Sequence, residues 1–175
     1  MNEAAAMGAR PDSGFDSAAA ARLIALLLPL ALLGGALGSQ YLGGLHPCEM
    51  CYWQRWPHGV AIVLAALAFA APSPSARSRT LTLLAALAIA VSGAIGVYHA
   101  GVEAKIFEGF TQCTALAKSA NPADMLRQIT HAPVVRCDDV QFRFLGISMA
   151  GWNAILSLGG AAAIVLLLTV GAKRR

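Results

Sequence analysis

Four long apolar stretches leave this chain few folds to choose from. A helix needs about 20 apolar residues to cross the hydrocarbon layer of a membrane. The segments from about Leu23 to Leu42, Trp56 to Ala71, Thr80 to Ala100 and Ile147 to Gly171 approach that length. The second reaches it only by starting back near Cys48 and Cys51. Pro72-Ser73-Pro74-Ser75 separates the second stretch from the third, as proline and serine punctuate helix ends. Composition agrees, because 57% of the 175 residues are hydrophobic and 13% are charged, against about 45–50% and about 25% in soluble domains. The expected fold is all-α, an integral membrane four-helix bundle over residues 22–171. A tail of residues 1–21 precedes it and a basic tail of residues 172–175 follows. Gly34 and Gly38, four apart in the first stretch, offer a place for close helix approach.

The basic residues orient the bundle. Arg10 and Arg22 precede the first stretch, Arg77 and Arg79 lie between the second and third, and Lys173, Arg174 and Arg175 close the chain. These groups share one side of a four-span topology, which the positive-inside rule makes cytoplasmic. The net charge of +4 is therefore a topology signal; its dispersion leaves no basic stripe for nucleic acid. The short first loop, about Gly43 to Trp56, and a long second loop, about 101–144, then face outside. Ala36-Leu37-Gly38 resembles a cleavage site, but Glu3, Asp12 and Asp16 precede a run longer than a signal-peptide core, so an uncleaved first span is expected.

All four cysteines fall on that outer side: Cys48 and Cys51 in the first loop, Cys113 and Cys137 in the second. Thiols stay reduced in the cytosol and oxidise outside it, so two pairs on this face point to disulfide chemistry. Four cysteines allow three connectivities. Cys48-Glu49-Met50-Cys51 is a C-x-x-C, a spacing at which one thiolate is stabilised while the other thiol closes the disulfide. If the second helix reaches back to Cys48, then Cys48, Cys51, Arg55 and His58 share a face. The helix N-terminus and the guanidinium one turn on both favour a thiolate. Pro57 opposes a regular helix there. Arg55 itself reads either as an interfacial arginine snorkelling to water or as the cationic partner of a thiolate or an anionic acceptor. Zinc held with His46 or His58 is the metal alternative, but a second C-x-x-C is missing and no metal is expected.

His99 and Glu103 are four apart where the third stretch meets the outer surface. They read as a surface ion pair, or as a proton donor and its orienting partner beside a redox site. In the long loop, a bridge between Cys113 and Cys137 would stabilise by roughly 3–4 kcal/mol on the loop-entropy model. Between them, Asn121 and Pro122 suit a helix start, and Met125, Leu126 and Ile129 make a short apolar stripe.

At this point the residues resemble the disulfide bond formation protein B (DsbB) family. Cys48-Glu49-Met50-Cys51-Tyr52-Trp53-Gln54-Arg55 is similar to that family's C-x-x-C-x-x-Q-R stretch, and His99-Ala100-Gly101-Val102-Glu103 to the motif at the outer end of its third helix. Cys137-Asp138-Asp139 and Phe144-Leu145-Gly146-Ile147-Ser148-Met149-Ala150-Gly151 resemble the approach to its fourth. The likeness covers about residues 22–170 in order. It implies a protein of the bacterial inner membrane that oxidises a periplasmic DsbA-type thioredoxin-fold dithiol protein and passes the electrons to membrane quinone, ubiquinone or menaquinone. By position it implies that Cys113 forms the mixed disulfide with the partner, that Cys137 and Cys48 exchange between the loops, and that Cys51 faces the quinone. Arg55 would stabilise the Cys51 thiolate and charge on the quinone, with His99 close by and Glu103 beside it.

The chemistry read from the residues agrees. A pair that meets an apolar oxidant belongs at a helix end near lipid, and a pair that meets a soluble protein belongs on a loop. The chain carries one of each. The rival from another class is a small membrane protein stapled by two inert disulfides; a paralogue serving one dedicated thiol partner is a third reading.

Overall fold

The computed structural model describes residues 16–72, 75–109, 121–122 and 135–173. Cys113 and the stripe of Met125, Leu126 and Ile129 lie outside them, while Pro122 has helical backbone. Among the described residues four helices form the molecule: α1 (Ser17–Tyr41), α2 (Glu49–Ala70), α3 (Ala76–Glu103) and α4 (Met149–Lys173).

Helix starts follow local capping rather than hydrophobicity. Asp16 accepts hydrogen bonds from the amides of Ala18 and Ala19 at 3.0 and 3.2 Å, so α1 begins at Ser17, ahead of the apolar run and inside the stretch expected to be a tail. Ser75 caps α3 in the same way through Ser78 N at 3.1 Å, which carries that helix back to Ala76. Cys48 is the cap of α2, its sulfur accepting from Cys51 N at 3.3 Å. The second helix thus does reach back to the cysteines. Both internal prolines, Pro29 and Pro57, lie within continuous helices, where each removes one backbone hydrogen bond that the rest of the helix outweighs.

The fourth stretch begins differently from expectation. Ile147 and Ser148 belong to a two-residue strand, β2 (Ile147–Ser148), paired antiparallel with β1 (Arg143–Phe144). Leu145 and Gly146 turn between them with φ of 51° and 81°, the positive values a tight hairpin requires. Only then does α4 start.

Three helices, α1, α3 and Met149–Val170 of α4, are long and apolar enough to cross a membrane. At 22 residues α2 spans about 33 Å, enough for the layer, but Gln54, Arg55 and His58 make its first half polar. The helices meet through small side chains. Ala21, Ala25, Ala61, Ala65, Ala85 and Ala86 are buried around Ile89, Ile164 and Leu168, while Leu27, Val60, Val63, Leu87 and Leu166 face outward. In lipid, where apolar exposure costs nothing, such close backbone packing drives association. The glycines that permit it are not the ones the spacing suggested. Gly34 and Gly38 have open space where a side chain would stand. Gly93 and Gly96 on α3 instead lie against α4: a Cβ would meet Leu158 and Ser157 at the first, and the Ala150 carbonyl at 3.0 Å at the second.

Candidate functional site

The site forms where α1 ends, α2 and α4 begin and α3 ends. Capping puts Cys48 one turn before Cys51, and their sulfurs lie 2.8 Å apart, within easy reach of a disulfide. Cys48 is buried and Cys51 half-buried. The adjoining Cys51 sulfur, then burial, then the Cys137 side chain push the Cys48 thiol up. Cys51 sits on the helix N-terminal turn, where an anion is favoured.

Cys137 arrives from the other loop. It is buried in one cluster with Cys48, Met50 and Val102. Two polar clamps hold it there. The Gln141 amide bonds both the His46 amide and the His46 carbonyl, at 3.2 and 2.5 Å, and ties the two cysteine segments together. Asp138 accepts from Lys105 Nζ and Arg136 Nη2, each at 2.6 Å. Arg136 and then Lys105 hold the Asp138 carboxyl well below the usual carboxylate range. Its folded pKa is depressed, so its contribution is present above the ordinary carboxylate pKa and is lost only as the pH falls through the lowered value. We expect Asp138→Asn to speed alkylation of reduced Cys137 about two- to fivefold, the scale of solvent-screened ion pairs. Peptide mass spectrometry of the alkylated protein checks this; an unchanged rate removes the clamp's role.

Arg55 does not snorkel to water. Its guanidinium donates to Gln40 Oε1 at 2.5 Å and to the Ala36 carbonyl at 3.1 Å, both on α1, and lies 5.2 Å over the Tyr52 ring. It is one helical turn beyond Cys51. His99 Nε2 stands 3.6 Å from the Cys48 sulfur and 3.8 Å from Glu103 Oε1, and the Glu103 side chain is only 10% exposed. The pair is therefore inside the site and not a wetted ion pair. Cys48, Cys51 and His99 place their ligand atoms within 4.8 Å of one another, which makes His99, rather than His46 or His58, the histidine that a metal at the C-x-x-C would use among the described residues.

A cavity of about 620 Å³ opens beside these groups. Cys48, Cys51, Arg55, His99 and Glu103 line one part of it, Arg136, Asp139 and Gln141 border it from the second loop, and Ala31, Leu32, Gly35 and Ala36 of α1, with Phe142, Phe144 and Trp152, supply its apolar walls. It therefore suits an apolar molecule carrying polar groups at one end.

Below the cysteines a buried network joins three helices. Gln54 Nε2 lies 2.7 Å from His99 Nδ1. Asn153 Nδ2 donates to Gln54 Oε1 at 2.7 Å, and Asn153 Oδ1 meets His58 Nε2 and the Ser157 hydroxyl at 2.9 Å each. Ser92 bonds the Gln54 carbonyl at 2.8 Å. Among the described residues, His58 Nδ1 is buried without a partner.

Of the expected site residues, the structure brings together Cys48, Cys51, Cys137, Arg55, His99 and Glu103; Cys113 lies outside the described residues. His58 shares the face but serves the network. Gln40, Gln141, Ser92 and Asn153 were not anticipated. Asn153 alone left a signal, as an amide in the longest apolar run. The family model for the disulfide bond formation protein DsbB matches residues 18–167, most of the chain. No curated protein and no solved structure matches it.

Proposed function

The chain belongs to the DsbB family, membrane proteins of disulfide-bond formation, and from that premise we propose that it oxidises a periplasmic DsbA-type dithiol protein and delivers the electrons to membrane quinone in the bacterial inner membrane. The observation that carries this reading is the position of the Cys48–Cys51 pair. One side of it borders the apolar-walled cavity with Arg55, and the other packs on Cys137 from the long loop.

Each exchange step transfers a disulfide, with a thiolate attacking and a thiolate leaving. The partner's dithiol loses two electrons and two protons; Cys113 takes up the partner's sulfur, and Cys137 passes oxidising equivalents to and from Cys48. Both cysteines border the cavity, and Cys51, the less buried one and a helical turn before Arg55, is the thiol that would meet the quinone. The cavity fits a quinone on two counts: its walls are apolar, and the Arg55 guanidinium provides fixed donors for a carbonyl oxygen. A bound quinone would accept two electrons and two protons. Arg55 would orient it and offset negative charge at that end of the cavity. Gln40 and Ala36 keep the guanidinium from turning away.

Purified protein in detergent, given a reduced DsbA-type substrate and a soluble quinone analogue, should reduce the quinone, read as loss of ultraviolet absorbance. A folded sample that shows no turnover beside a working control enzyme overturns the proposal. Arg55→Met should raise the KM for quinone about 10- to 100-fold, the worth of a hydrogen bond to a charged group, and lower kcat less. Equal KM values in variant and parent would remove Arg55 from quinone binding.

A further inference from the structure

We infer that Asn153, on the last helix, is a positioning residue that acts through Gln54 to fix which nitrogen of His99 carries the proton. Two buried amides, whose orientation backbone carbonyls decide, link the residues. Asn153 Nδ2 lies 3.2 Å from the Ser92 carbonyl oxygen, which can only accept, so that end of the amide is the NH2. Its oxygen then receives the Ser157 hydroxyl at 2.9 Å. The same NH2 group reaches Gln54 Oε1 at 2.7 Å, so the Gln54 oxygen faces Asn153 and the Gln54 NH2 faces away. That NH2 meets the Met50 carbonyl at 3.3 Å and His99 Nδ1 at 2.7 Å. Reversing both amides would set oxygen against oxygen at Ser92 and at Met50.

His99 Nδ1 must therefore accept. A neutral imidazole has one proton, and it is left on Nε2. Nε2 looks onto two acceptors, the Cys48 sulfur at 3.6 Å and Glu103 at 3.8 Å. Gln54 and His99 are only 7% and 3% exposed, so these bonds are largely shielded even where the cavity borders them. The Met50 carbonyl alone holds the Gln54 amide weakly at 3.3 Å. Without Asn153, Gln54 is free to offer its oxygen to an Nδ1–H, which turns a lone pair towards Cys48. With Asn153 in place, Nε2–H is directed at the sulfur that carries negative charge whenever an exchange leaves Cys48 as a thiolate. This role in turnover rests on the oxidase reading; the tautomer does not. It also makes His99 a donor towards the cysteines rather than a metal ligand through Nε2.

The test is the nitrogen-15 spectrum of the reduced, histidine-labelled protein in detergent micelles, with the His99 signals assigned from a His99→Gln sample. Protonated and unprotonated ring nitrogens are distinguished directly, and neither quinone nor partner is needed. The parent is expected to hold its proton on Nε2. Asn153→Leu and Gln54→Leu should each give mixed tautomers and slow quinone reduction roughly tenfold, as expected for the loss of a charge-assisted hydrogen bond. Whichever of the two folds decides the matter. A parent protonated on Nδ1, or a folded variant that keeps the parent tautomer, overturns the inference. A variant that loses the tautomer but keeps the parent rate overturns its link to turnover. If the parent has the expected tautomer but does not reduce quinone, the oxidase reading fails and the positioning stands.

Discussion

Replacing Cys51 with alanine is expected to reduce quinone turnover to the uncatalysed background while leaving the bundle folded. Cys51 is half-buried on the first turn of α2, borders the cavity and touches Cys48 at 2.8 Å. Without it, Cys48 has no resolving sulfur on its own loop. Cys48 also borders the cavity, but it is buried while Cys51 is half-buried, and it lacks the position one helical turn before Arg55 that Cys51 holds. Alanine is a better helix former than cysteine and leaves the Cys48 cap in place, so helicity and thermal unfolding should match the parent. The expected result is a folded protein without quinone reduction. Normal turnover by the variant would take Cys51 off the electron path and leave the C-x-x-C a structural staple.

Cys113→Ala is expected to split the reaction in two. Oxidation of the protein partner should stop, because the sulfur that receives it on the long loop is gone. Quinone reduction driven by a small dithiol such as dithiothreitol should continue, because Cys48, Cys51, Arg55 and the cavity are untouched. The measurement is the same absorbance assay run with each reductant. Partner-driven turnover at the parent rate would show that the partner docks on another cysteine. Loss of both activities would show that the two pairs are not separable stages.

The architecture was legible because membrane-spanning helices are written in long apolar runs; helical spacing put Cys48, Cys51 and Arg55 on one face and paired His99 with Glu103, but that the two groups meet in one site came only from the family resemblance. Helix ends were less legible. Asp16 and Ser75 start helices among polar residues where hydrophobicity gives no signal, and the β1–β2 hairpin occupies the start of an apolar run. Gly34 and Gly38 have the spacing for close packing but no helix opposite, whereas Gly93 and Gly96 do. Spacing records which residues share a face; it does not record which face meets a neighbour. The same limit hid Gln40, Gln141 and Asn153. Each makes its contacts with a distant segment, Asn153 with a residue 99 positions away.

The second helix carries a consequence for how the chain is made. It leaves the ribosome with an amide, a guanidinium and an imidazole in its leading half, before α3 and α4 have been synthesised. Gln40 of α1 can receive the guanidinium at once, and α3 then brings His99 to Gln54 and Ser92 to His58, but Asn153, which bonds both, arrives only with the final segment. Until then the unfinished chain exposes polar groups that lipid cannot solvate. The last span is therefore the segment that closes the side-chain network begun by α2 and α3.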